Sequence, residues 1–144
     1  MKYTLDIEIN LPREKVIELF DNPDNLKHWQ PGLISYEHLS GDYGKPGSKT
    51  KLVYKMNKRE VEMIETLTVR NLPEEISGTY EAKGVWNYMK NTFAETEQGT
   101  TIYRAETEFK MKGFMKIIAA IMPGAFKKQT FKYMKLFKEF AEGS

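Results

Sequence analysis

Tyr3-Thr4-Leu5-Asp6-Ile7-Glu8-Ile9-Asn10-Leu11-Pro12-Arg13-Glu14-Lys15-Val16 is the stretch that decides the fold. Tyr3, Leu5, Ile7, Ile9 and Leu11 alternate with Thr4, Asp6, Glu8 and Asn10, the period of a half-buried strand. Pro12 then stands where a helix can begin, and Val16, Ile17, Leu19 and Phe20 share one arc of a helical wheel. A strand running straight into a short amphipathic helix is therefore expected. Asn22-Pro23 breaks that helix, and Pro23 to Trp29 has room for one or two further turns before Pro31-Gly32.

From Ile34 to Met111 the period becomes two, interrupted at Gly41 to Gly47, Asn57-Lys58, Asn71 to Glu75, Gly84 and Gln98-Gly99. Strands are expected near 34–40, 48–56, 59–70, 75–83, 85–96 and 100–111. Hairpin-length connections make the sheet antiparallel, since parallel neighbours need long crossovers. The chain closes with a long helix over 124–141. Its Lys127, Lys128, Lys132, Lys135 and Lys138 share one side, and Phe126, Tyr133, Leu136, Phe137 and Phe140 the other. Pro123-Gly124 separates it from Phe114 to Met122, whose single ionic residue is Lys116.

The 144 residues suit one domain, 1–144. Twenty-two basic against 20 acidic residues supply no strong overall field, so a general nucleic-acid binder is not expected. Zero cysteines exclude a disulfide scaffold, a thiolate metal site and a cysteine nucleophile. No 18-residue apolar run and no signal-peptide progression occurs, so a cytoplasmic protein without stable membrane insertion is the expectation.

One strand, two short helices, six antiparallel strands and a long terminal helix define an α+β arrangement: a curved seven-stranded antiparallel sheet with its concave face buried against the helix. One helix about 10 Å wide leaves space inside such a curl. The chain resembles the START/Bet v 1-like superfamily, and within it the bacterial polyketide cyclase/dehydrase and lipid transport group of SRPBCC proteins. The resemblance rests on the first strand with Leu11-Pro12-Arg13-Glu14-Lys15-Val16, on Asp21-Asn22-Pro23-Asp24-Asn25-Leu26 running to Trp29-Gln30-Pro31, on Gly41 through Gly47, and on Glu60-Val61-Glu62-Met63-Ile64-Glu65. It covers essentially the whole chain. It implies a helix-grip fold with a pocket for an apolar or amphipathic small molecule.

Trp29, Tyr36, Tyr54, Met63, Trp86, Tyr88, Tyr103, Phe126, Tyr133 and Phe137 are the candidate ligand-binding residues, weighed against ordinary core packing. His38, on the strand parity of Ile34 and Tyr36, is a candidate acid or base, or an exposed strand histidine. Glu65 shares parity with Val61, Met63, Leu67 and Val69, which would put a carboxylate of raised pKa on an apolar face; a local bulge that turns it to solvent is the preferred reading, and Arg104 or a lysine that neutralises it is a further alternative. Asn87 and Asn91 pose the same question without charge. His28 and His38 lack a third ligand at metal spacing, so neither metal nor cofactor is expected.

Gly41, Gly44 and Gly47 read as a hairpin loop rather than a phosphate cradle, because a strand and not a helix follows. Residues 110–144 carry net +6 and residues 1–109 net −4. The lysine face with Phe114 to Met122 and Phe131 reads as a cavity lid and a solvated helix surface, with a homodimer contact or a touch on an anionic membrane as alternatives. Three functions follow in order: a binding protein for a small hydrophobic ligand, a cyclase or dehydratase using His38 or Glu65, and an interaction domain whose cavity is filled.

Overall fold

The computed structural model describes residues 1–144. Strand β1 (Lys2–Ile9) leads into helix α1 (Arg13–Phe20), a 3₁₀ turn (Pro23–Asn25) and the single-turn helix α2 (Leu26–Trp29). Six strands follow: β2 (Leu33–Ser40), β3 (Lys49–Met56), β4 (Arg59–Asn71), β5 (Glu75–Ala82), β6 (Val85–Glu95) and β7 (Thr101–Met111). Helix α3 (Phe114–Ile121) and the long helix α4 (Pro123–Glu142) complete the chain. The seven expected strands are all present.

Every strand pairing is antiparallel, in the order β1-β7-β6-β5-β4-β3-β2. The first strand thus returns to pair with the last, and β1 and β2 form the two edges. Asn57 and Lys58 both take positive φ (47° and 69°), the geometry of a two-residue hairpin turn that matches strand twist. The β4 register shifts between Leu67 and Val69, and there β5 comes unusually close. A Cβ on Gly78 would sit 2.8 Å from the Thr66 carbonyl oxygen, so glycine permits the approach.

Helix α4 lies along β1 and against α1 and α2. Its buried stripe is Thr130, Met134, Phe137 and Ala141, the spacing of one helical face. Polar bonds tie it to the free side of β1: the Lys138 ammonium donates to the Glu8 carbonyl oxygen at 2.6 Å, and the Asn10 amide donates to Glu142 Oε2 at 2.8 Å. At the other edge, β2 steps out of register between Leu33 and Ser35 and again between His38 and Ser40. The packed core gathers at one end of the molecule, where Ile9, Val16, Leu19, Trp29, Phe93, Tyr103 and Ala105 meet Met134, Phe137 and Ala141. Burying such side chains contributes about 1.5–3 kcal/mol each, which makes this end the anchor of the fold.

Candidate functional site: a polar file under the helix

Strand register brings five polar side chains into one file across the concave face. His38 pairs with Thr50, Thr50 with Glu65, Glu65 with Tyr80 and Tyr80 with Asn87. At the usual strand spacing, the run from Thr50 to Asn87 spans about 14 Å. Apolar residues flank it on the same face: Leu52 and Met63 on one side, Leu67 and Met89 on the other. The result is a polar line with apolar surface on both sides.

Glu65 is the chemical centre of the file. Removal from water holds its carboxyl above the ordinary carboxylate range, and the Tyr80 hydroxyl beside it pulls weakly the other way. Tyr80 is pushed well above the usual phenol range, by burial first and by Glu65 second. Tyr54 is raised as well, by burial and then by the proximity of Tyr133 on α4 and of Glu65. The neighbouring phenols have protein partners: Tyr54 donates to Gln30 Oε1, and Tyr103 donates to Asn91 Oδ1 at 2.8 Å. Two interior polar atoms, Trp29 Nε1 and Thr107 Oγ1, have none.

Thr50, Leu52 and Asn87 are buried, and β4 between them is less tightly covered. Strand β4 has thirteen residues and paired neighbours on both sides, yet none of them is buried, including the concave Met63, Glu65 and Leu67. Helix α4 packs along β1, α1 and α2, away from β4. The folded chain exposes 8834 Å², against about 7,600 Å² for a compact monomer of this mass. A hollow of about 320 Å³ lined by Leu5, Gly124, Lys127, Lys128 and Phe131 lies between β1 and the start of α4.

The sequence candidates divide into five groups. Tyr54, Met63, Glu65 and Tyr133 come together at the file and its apolar flank. Trp29, Tyr103 and Phe137 are packed core: their rings surround Phe20 at centroid distances of 5.5, 5.6 and 5.2 Å. Phe126 stacks obliquely on Phe109 at 5.1 Å near the start of α4. Tyr36 and His38 sit on the exposed edge strand, where Tyr36 donates to Asp24 Oδ1 at 3.0 Å and His38 meets the edge of Tyr43 at 5.8 Å.

Trp86 and Tyr88 lie on the convex face, a correction to their reading as pocket residues. Their register partners Lys110 and Glu108 point outward, Trp86 stacks on Tyr88 at 6.5 Å, and the Lys110 ammonium sits 4.8 Å above the indole. The inward positions of β6 are Asn87, Met89, Asn91 and Phe93. Two further expectations change. The β4 bulge falls beyond Glu65 and leaves it facing inward, and Arg104 lies outside, bound to Asp6 at 2.7 and 3.1 Å. His28 is exposed and stacks on Phe140 at 5.2 Å.

Tyr80 is among the polar-tipped aromatics that could line a pocket, whereas Thr50 and Gln30 are site residues that the sequence pattern does not bring forward. Thr50 joins the site through register across neighbouring strands, which no local pattern encodes, and Gln30 through the end of α2.

Residues 1–135 match the family model described as polyketide cyclase/dehydrase and lipid transport. The chain belongs to this family. The fold is that of Bet v 1-like and START proteins. Similar solved structures include Ara h 8.0201, at 13% identity over 100% of both chains with a TM-score of 0.74. A conserved protein from Geobacillus kaustophilus is 17% identical over 100% of this chain and 97% of its own, TM-score 0.79. A START superfamily protein from Mycobacterium smegmatis is 11% identical over 99% and 97%, TM-score 0.76. No curated protein matches the chain. A ligand-binding domain is the general role that family and fold support.

Proposed function

We propose that this chain binds one small amphipathic molecule between the concave face of the sheet and α4. Its apolar body lies along Met63, Leu67 and Met89, and its polar end reaches Glu65 and Tyr80. The observation that carries the reading is the concave side of β4, an interior strand whose inward residues Met63, Glu65 and Leu67 are only half-buried and along which α4 does not pack. Apolar burial supplies the affinity, and the Glu65 carboxyl with its neighbouring phenol selects a hydrogen-bonding polar group. This arrangement favours binding over a filled interaction domain.

The test uses the fluorescent probe anilinonaphthalene sulfonate and native mass spectrometry of the purified protein. A small-molecule adduct that leaves on denaturation is expected, and Leu67→Trp, which fills the space along β4, should lower probe affinity by at least about tenfold, the value of one displaced apolar contact surface. Unchanged probe affinity in Leu67→Trp, with a bare mass, overturns the proposal.

A second reading rests on the same carboxyl. Burial beside Tyr80 raises the Glu65 carboxyl, which suits it to act as the proton donor to an enolisable carbonyl that a cyclase or dehydratase needs. His38, exposed at the sheet edge, does not share that position. Loss of turnover in Glu65→Gln with ligand binding retained distinguishes the enzyme from the carrier.

A further inference from the structure

Helix α3, Phe-Met-Lys-Ile-Ile-Ala-Ala-Ile, is apolar around its whole circumference except at Lys116. Helices of that composition are ordinarily buried, yet α3 lies on the surface with no buried residue. Met115, Ile118 and Ala119 form its half-buried side; α3 packs against β7 and α4, and Met115 lies against Gly84 in the β5–β6 turn. The opposite stripe, Phe114, Ile117 and Ile121, is 72%, 56% and 72% exposed, and Met122 continues it at 53%. The stripe runs at i, i+3, i+7, so these side chains form one contiguous face.

The stretch of chain that contains this face carries one sign of charge. From Phe109 to Lys138 the chain contains eight lysines and no aspartate or glutamate. Lys112 and Lys116 flank the stripe, Lys127 and Lys128 follow within about two turns of the start of α4, and none of the four forms an ion pair. No helix here is long and apolar enough to cross a membrane. An exposed apolar stripe of two turns, rimmed by unpaired ammonium groups, matches a surface that is anionic outside and apolar just beneath.

We propose that α3 docks this protein on an anionic lipid bilayer, with Phe114, Ile117, Ile121 and Met122 entering the headgroup and acyl boundary and Lys112 and Lys116 contacting the phosphates. Apolar insertion and attraction to anionic lipid act together, and neither alone holds a protein at a membrane. The proposal stands on surface residues and is independent of what occupies the concave face.

The experiment is co-sedimentation of the full chain with vesicles of phosphatidylcholine alone or mixed with phosphatidylglycerol. Binding to the mixed vesicles is expected, weakening as salt rises. Phe114→Ser/Ile121→Ser should reduce partitioning at least about tenfold, by loss of two inserted side chains. Lys112→Gln/Lys116→Gln should reduce it about tenfold or more on the mixed vesicles and leave phosphatidylcholine unaffected. Both variants alter exposed groups and keep the wild-type melting temperature. Equal sedimentation with both vesicle types, or wild-type partitioning by either variant, overturns the proposal. A dimer that the serine variant dissociates, without vesicle binding, assigns the face to a second copy and overturns it too.

Discussion

Glu65 carries a cost that depends on pH. Burial raises its folded pKa above the unfolded value, with the Tyr80 hydroxyl offsetting a smaller part. Folding therefore favours the protonated acid: this contribution is fully present below the ordinary carboxylate pKa and is lost as pH rises through the raised one. Glu65→Gln should melt higher than wild type at neutral pH, and the difference should vanish in thermal scans as the pH falls into the ordinary carboxylate range. A constant difference across that range would mean the gain comes from packing. Asp6 and Glu142 act in the opposite sense. Arg104 lowers the first, the Asn10 amide and then Lys138 lower the second, and both contributions are lost in acid. Parity puts Glu65 on the face of Val61, Met63 and Leu67, but the preferred reading of the sequence is a bulge that turns it to solvent, and only the register with β5 shows that the shift falls beyond it. On β6 both parities mix polar and aromatic groups, so Trp86 and Tyr88 could be assigned only by pairing with β7.

At the scale of elements, the close approach of β5 to β4 depends on Gly78. A methyl group there would meet the Thr66 carbonyl oxygen at 2.8 Å, and backbone cannot swing aside as a side chain can. Gly78→Ala should destabilise by about 1–3 kcal/mol in chemical denaturation, the range for overpacking. A change within about 0.5 kcal/mol, typical of neutral surface sites, would show that β4 and β5 separate easily. The strands were legible because glycine, proline and asparagine punctuate them and because alternation persists between the breaks. The same local signal describes α4, whose apolar and lysine faces are distinct. It misjudges α3, since an apolar segment reads as a lid over something, and only the exposures of Phe114 and Ile121 show that its outer stripe covers nothing of its own chain.

For the whole molecule, the surface excess is the informative quantity. About 1,200 Å² beyond that of a compact monomer of this mass is a large unburied reserve, and part of it lies along β4. Occupation of that space should stabilise strongly: a ligand at a hundred times its dissociation constant contributes about 2.7 kcal/mol. For a chain of this size that corresponds to a rise of roughly 5–10 °C in melting temperature. A screen of long-chain fatty acids and polycyclic phenols by thermal shift checks this; no member reaching that rise while the purified protein shows a bare mass would argue for a collapsed interior. The curved sheet with the helix across it was expected from the element order, but the looser cover along β4 was not, because it depends on where α4 settles along β1.

The two outer strands bear on how the molecule behaves in a crowded cell. Lys138 and Glu142 occupy backbone groups at the end of β1, and the irregular steps in β2 leave only Ser35 to His38 in unbroken register with β3. A neighbouring chain seeking to extend the sheet finds one border partly capped and the other offering four residues, short of the five or six of an ordinary strand. Fibril growth through either border is thereby disfavoured, and the protein can keep a ligand-accepting interior without turning its strands into templates for assembly.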